Sequence, residues 1–250
     1  MIAFGRRVYG LGVIGLGLVE LAYGAFASVW LPVPAHIPAY HIPAYGSAGV
    51  LILAGLAINV SRAAATAALT LAAFFAAWML VLLLPLTLAT PAAWGGWQAI
   101  AESTIMALGG VLAYTQSPGV SPTRAAAIAR IVRLVFGLCL LVFGGSHFVY
   151  AKFTASLVPA WLPPSQLSWT YATGVAQIAA GLAMLSAVQA RLAAILLTVM
   201  YLAFGALVHI PSILADPSSH ANWAENGINL ILVGAAWGLA DSLSTERTRR

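Results

Sequence analysis

Apolar residues run along this chain in eight long stretches, separated by short breaks rich in arginine, proline, serine and glycine. The stretches cover 8–29, 45–60, 64–88, 97–114, 131–150, 169–187, 192–211 and 223–241. A helix rises about 1.5 Å per residue, so about 20 apolar residues cross the hydrocarbon core of a bilayer. The pattern predicts an all-α integral membrane protein with eight transmembrane helices.

The breaks orient the chain. On an up-and-down path the N-terminus, every even-numbered break and the C-terminus share one side of the membrane. Arg6, Arg7, Arg62, Arg124, Arg130, Arg133, Arg191, Arg247, Arg249 and Arg250 all fall there, and Lys152 alone falls on the other. The positive-inside rule makes the arginine side cytoplasmic, with both termini in the cytoplasm. Composition agrees: 62% of residues are apolar, 7% are charged and mean hydropathy is +0.95, too little polar surface to coat a soluble globule. The net charge of +5 then reports topology. With the arginines scattered over separate segments and no recognition motif among them, nucleic acid is excluded as a partner.

Sliding the chain against itself by 127 residues pairs Arg6 with Arg133, Gly10 with Gly137, Gly17 with Gly144, Tyr23 with Tyr150 and Pro32 with Pro159. Shifting to 126 pairs Tyr45 with Tyr171, Gly55 with Gly181, Pro85 with Pro211, Pro91 with Pro217 and Trp97 with Trp223. The expected organisation is a four-helix repeat at 1–117, a linker at 118–124, a second repeat at 125–243 and a basic tail at 244–250. An even number of crossings in each copy makes the repeats parallel, a pair of four-helix bundles side by side. Glycines 10, 17 and 24, with 137 and 144 in the second copy, recur every seven residues and predict a close-packed helix seam. The opening Arg6-Arg7 with Ala25-Phe26-Ala27 has the look of a cleavable signal. The apolar run is too long for a signal core, and its pairing with the fifth stretch favours a permanent helix.

Ionisable groups inside a membrane are costly and therefore mark function by default. Glu20 lies fourteen residues after Arg6, and His147 fourteen after Arg133, so both come about 20 Å from the cytoplasmic edge. They occupy the same place in the two repeats. His209, Glu225 and Glu102 fall in the same outer half. The outer loop after the first stretch repeats His-Ile-Pro-Ala-Tyr, with His36 and His41 as loop residues, and suggests a stiff aromatic lid. The ligand-binding or proton-handling candidates are His147, Glu20, His209, Glu225, Tyr150, Tyr23 and Gln177. Against this stands the plainer reading of hydrogen-bonded packing residues, with the tryptophans as interfacial anchors.

Cys139 is the sole cysteine, which excludes an intramolecular disulfide, a Cys-x-x-Cys redox centre and a cysteine-held iron–sulfur cluster in this chain. No nucleotide-binding glycine motif or His-Glu-x-x-His zinc motif is present. Two chemistries stay open. Quinone handling needs hydrogen-bond partners for two carbonyls and a proton route, as His147, Glu20, Tyr23, Tyr150 and Gln177 would supply. Haem or metal binding needs convergent imidazoles, for which His147, His209 and His220 are the candidates.

The second half resembles the DoxX family of small four-helix bacterial membrane proteins. The likeness rests on Gly144-Gly145-Ser146-His147-Phe148, on Pro159-Ala160-Trp161-Leu162-Pro163, on Gly174 to Leu182 with its Gln177, and on Arg191-Leu192-Ala193-Ala194 leading to His209-Ile210-Pro211. It covers nearly all of 131–240. The resemblance implies association with electron transfer to quinone and with redox-linked membrane complexes. Three departures stand out: the tandem fusion, Glu20 in the first copy where the second has His147, and glutamine at 177 where relatives are expected to carry an acid. They are compatible with a working site in the second copy alone.

The leading expectation is thus a redox-associated membrane protein that binds quinone or a similar lipid-soluble small molecule in an outer-half pocket. Its partners would be membrane lipid, that molecule, and another membrane or periplasmic redox protein. Any catalytic role would be that of an oxidoreductase membrane subunit acting on quinone. The alternative is a non-catalytic scaffold or assembly subunit, and the third is a small-molecule transporter.

Overall fold

In the computed structural model, residues 4–27, 31–34, 36 and 38–247 are described, the side chains of 245–247 excepted. The predicted end of the first stretch at Val29, outer-loop residues Ala35 and Ile37, and the last residues of the basic tail with Arg249 and Arg250 lie outside the described residues. The described residues are helical, with no strand among them. Eight principal helices follow in order: α1 (Phe4–Tyr23), α2 (His41–Ala57), α3 (Ala64–Ala89), α4 (Trp94–Thr115), α5 (Pro122–Val149), α6 (Gln166–Ser186), α7 (Ala190–Ala215) and α8 (His220–Arg247). A short helix, Ala151–Leu157, follows α5.

Four of these, α3, α5, α7 and α8, are long and apolar enough to cross a bilayer. α2 is short at 17 residues. The remaining three have the length, but glycines and polar residues dilute their apolar character. Large apolar side chains such as Leu53, Val81, Leu138, Leu196 and Leu214 stand exposed on the outer helix faces, as they do where the surroundings are lipid.

Local chemistry sets the helix ends. α1 stops at Gly24, whose φ of +59° is the left-handed turn that glycine enters without strain. The first helix is therefore shorter than the apolar run that predicts it, and Gly24 belongs to a helix end and not to the glycine seam. α5 starts at Pro122, earlier than predicted, because Ser121 caps it by accepting from the Arg124 N–H and proline fits the first turn. His41 and His220 open α2 and α8; His41 is thus a helix residue, against the expectation of a loop. Inside α3 and α7, Pro85 and Pro211 lack the N–H that a helix needs and crowd the carbonyl four residues earlier. Both helices answer with one widened π-turn, at Met79–Leu83 and at Gly205–His209. These turns, the segments on either side of them and the starts of α4 and α8 recur at a spacing of 126 residues.

The predicted seam glycines face the neighbouring helix. A Cβ on Gly10 would lie 3.1 Å from the Gly55 carbonyl, and one on Gly137 would lie 3.0 Å from the Gly181 carbonyl. α1–α2 and α5–α6 are thus equivalent glycine-packed pairs. The pairing between halves differs from two side-by-side bundles. α1 packs on α8 and α5 packs on α4, so the opening helix of each half leans on the closing helix of the other. α4 and α8 pack on each other in the same direction, with Gly109 against Ala235 and Leu112 against Gly238, so residue n of α4 faces residue n + 126 of α8. Of α8's apolar span 72% is buried, against 22% for α7, which places α8 at the centre.

Side-chain ties hold the exchange. Tyr23 donates to the Ser218 carbonyl at 2.9 Å and stacks on His220 at 4.4 Å, both just at the start of α8. Its counterpart Tyr150 accepts from the Gly95 N–H at 2.9 Å, at the start of α4. Trp94 donates to the Ser146 hydroxyl at 3.0 Å. Trp97, Trp169 and Trp223 each reach back to a proline carbonyl, of Pro91, Pro163 and Pro217, at 2.8 to 3.0 Å. Such tryptophans are half-polar, half-apolar anchors for an interface.

Candidate functional site

Glu20, His147, His209 and Glu225, which the sequence sets at one depth, face different neighbours. Glu20 is completely buried, and its carboxylate accepts from the Ser47 hydroxyl at 2.5 Å and from the Ala27 N–H at 3.2 Å. Both oxygens are engaged, so this carboxyl pins the turn after α1 against α2. The Gly24 carbonyl is held there too, by the His41 ring at 2.6 Å. His147 is half-buried over Gly174 of α6, with Nδ1 against the Phe143 carbonyl at 2.9 Å. Among the described residues no hydrogen bond is made by its other ring nitrogen. Gln177 is buried on the same side of α6, and its Oε1 meets no donor. Tyr23 and Tyr150 use their hydroxyls on backbone groups between the halves. No bond joins Glu20, His147, His209 and Glu225 to one another among the described residues. Nor do the described residues include a cluster of three or more His, Cys, Asp or Glu able to hold a metal; His147, His209 and His220 are not brought together.

What the fold does bring together is a polar layer between α4, α5, α7 and α8. The register of α4 on α8 sets Ser103 level with Asn229, and Glu102 level with the turn from Glu225 to Asn229. Asn229 donates to the Tyr201 carbonyl of α7 at 3.0 Å. A Cβ on Gly205, one turn further along α7, would lie 3.0 Å from the Asn229 amide nitrogen. One more turn on each helix brings His209 level with Glu225. Glu102 and Glu225 are close enough for their charges to act on one another. Glu102 and Cys139 both act on the Tyr201 hydroxyl in the same way.

One hydroxyl in this layer is unsatisfied: Tyr201 is 3% exposed and its hydroxyl has no hydrogen-bond partner among the described residues. Ser103, 0% exposed and likewise unpartnered among them, lies on the α3 side of α4, in line with Gly96 and Gly110. Leaving a buried hydroxyl unpaired costs about 1–3 kcal/mol, so native proteins rarely do it without a reason. Carboxyls, a hydroxyl and an amide in an apolar surround can hold a polar group by hydrogen bonds and hold or release a proton beside it. The layer is one-sided: the first-half counterparts of Tyr201, His209 and Asn229 are Phe75, Leu83 and Ser103.

Sequence reasoning missed Tyr201, Ser103 and Asn229, and noted Glu102 only for its depth. The signal available was helical spacing: Tyr201, Gly205 and His209 at steps of four, and Glu225 and Asn229 likewise, mark one face each of α7 and α8.

The sequence model of a family described as a domain of unknown function, DUF8561, matches residues 136–240. That span includes Cys139, His147, Tyr201, His209, Glu225 and Asn229, and leaves out Glu20 and Glu102. No curated protein and no solved structure matches the chain.

Proposed function

We propose that this chain is a multi-pass protein of the bacterial inner membrane that binds a lipid-soluble, hydrogen-bonding small molecule of the quinone class in the polar layer around Tyr201. Eight crossings in two parallel four-helix repeats, at 1–117 and 125–243, put both termini in the cytoplasm. The recurrence of the proline-associated π-turns at 126 residues and the confinement of arginine to one set of breaks support that topology. The observation that carries the binding reading is the unpartnered buried hydroxyl of Tyr201 beside Glu102. A quinone presents carbonyl acceptors for such donors, and its reduction consumes protons that adjacent carboxyls supply. Electrons would reach it from a separate redox protein, in line with the DoxX-like motifs of the second half.

Mass spectrometry of lipid-soluble molecules retained by the detergent-purified protein tests this. Wild type is expected to retain a quinone. A Tyr201→Phe variant is expected to lose it at least about tenfold, or about 1.4 kcal/mol of binding. Equal retention, or none in either protein, sinks the reading.

One observation favours the scaffold alternative: Tyr23, Tyr150, Trp94 and Glu20 all tie helices or turns to one another. On that reading the exchanged helices present a rigid surface to another membrane protein, and the polar layer is packing. Emptiness of the purified protein together with a co-purifying membrane partner would favour it.

A further inference from the structure

We propose that the α5–α6 seam of the second half holds a second binding site, in which Gln177 receives the hydroxyl of a lipid-soluble molecule at a mouth guarded by His147. The two helices meet backbone to backbone. A Cβ on Gly144 would lie 2.7 Å from the Gly174 carbonyl, and one on Gly174 would lie 3.2 Å from the Gly144 carbonyl. Side chains at this crossing divide between its two sides. Phe148, 44% exposed and stacked on Tyr171 at 5.5 Å, takes the lipid side. His147, whose Cβ would touch a Gly174 Cβ at 2.8 Å, and Gln177, one turn along α6 and 2% exposed, take the inward side. The Gln177 Oε1 is buried and meets no donor. His147 has its Nδ1 against the Phe143 carbonyl at 2.9 Å, so in the neutral ring Nδ1 bears the hydrogen and Nε2 the lone pair. Gln177 therefore calls for a group that brings a hydrogen, and the His147 lone pair repels one that brings only a carbonyl or an ether oxygen.

The first half carries the same seam in a closed form. Glu20, Ala48 and Leu51 stand there in the places of His147, Gly174 and Gln177. Both Glu20 oxygens accept from the chain itself, and Leu51, with no exposure, fills the position of the amide. In the second half the hydroxyl next to the crossing is already spent, because Thr173 donates to the Trp169 carbonyl at 2.8 Å. A buried amide oxygen without a donor destabilises a fold, and leucine at the matching place shows that the seam packs without one. The amide is thus explained by what it binds and not by how the helices pack.

The test is saturable binding of para-nonylphenol to the full-length protein in lipid nanodiscs, compared with para-nonylanisole, in which a methyl group replaces the hydroxyl hydrogen. Wild type is expected to bind the phenol at least about tenfold more tightly than the ether. Gln177→Leu, which installs the residue of the first half, is expected to melt no lower than wild type and to lose at least about tenfold in phenol binding. Tyr201→Phe is expected to leave phenol binding within about twofold of wild type, so the quinone reading and this one fail separately. Equal binding of the two probes, no saturable binding of the phenol, or equal phenol binding by wild type and Gln177→Leu overturns the proposal; the first two are read on wild type alone. A loss in Tyr201→Phe as large as that in Gln177→Leu overturns it as well, because the two sites would then be one.

Discussion

Leucine at position 234 is expected to push α1 away from α8 and leave no monodisperse protein in detergent. A Cβ on Gly234 would sit 2.3 Å from the Tyr9 backbone nitrogen and 2.5 Å from its Cα. The same crossing brings Gly12 to 2.6 Å from the Ile231 nitrogen and Gly5 to 2.5 Å from the Gly238 nitrogen, again measured from a built Cβ. Three backbone-on-backbone contacts along one line leave no side chain that can move aside. A cost of about 3 kcal/mol or more follows, at the upper end for overpacking. Gly15→Leu is the control, because a Cβ there meets nothing within 4 Å, and its stability should stay within about 0.5 kcal/mol of wild type. Thermal unfolding and size exclusion of both variants decide the matter; a folded Gly234→Leu protein as stable as wild type would show that the two helices do not approach so closely.

Removing the Glu20 side chain is expected to have the next largest effect. Glu20→Ala strips the acceptor from the Ser47 hydroxyl and the Ala27 N–H at once and leaves a hole in a site with no exposure. The loss should be about 2–4 kcal/mol, seen as a lower melting temperature and as faster proteolysis in the turn after α1. Glu20→Gln keeps the shape and one carbonyl acceptor and should cost about 1 kcal/mol. Quinone retention should be unchanged in the glutamine variant. If that variant empties the protein as thoroughly as Tyr201→Phe, Glu20 is part of the binding site and its assignment as a structural staple falls.

These two positions also show what could be read from the sequence. The apolar stretches and their breaks foretell the helices, because a helix in an apolar environment needs little beyond composition and length. Proline at 85 and 211 and glycine at 24 mark the bent and terminated places for reasons local to the backbone. The seam of Gly10, Gly17, Gly137 and Gly144 is legible as a packing face, since small residues at a seven-residue spacing line up on one side. Its partner helix is not legible, and the second seam of Gly5 and Gly12 on α8 passes unnoticed, because nothing local to α1 says that its main neighbour lies more than two hundred residues away. The candidate site suffers the same limit. Depth along a helix comes from counting residues, but the direction a side chain faces depends on which helices close around it. Glu20 and Glu225 share a depth and turn to different neighbours, whereas Glu102 meets Tyr201 and Glu225 only because α4 and α8 lie in register.

The exchange of helices between the halves has a bearing on how the protein is made. The ribosome releases α1 well before α8, so α1 waits in the membrane for its principal partner until α8 has been made. Domains that close on themselves can fold as they emerge; here the α1 contact must wait, and α8, which completes it, is also the most enclosed of the four long apolar helices. A chain that stalls before α8 would present the lipid with the bare glycine face of α1, at Gly5 and Gly12, and such an orphan is the form that a quality-control protease or a holding insertase has to recognise.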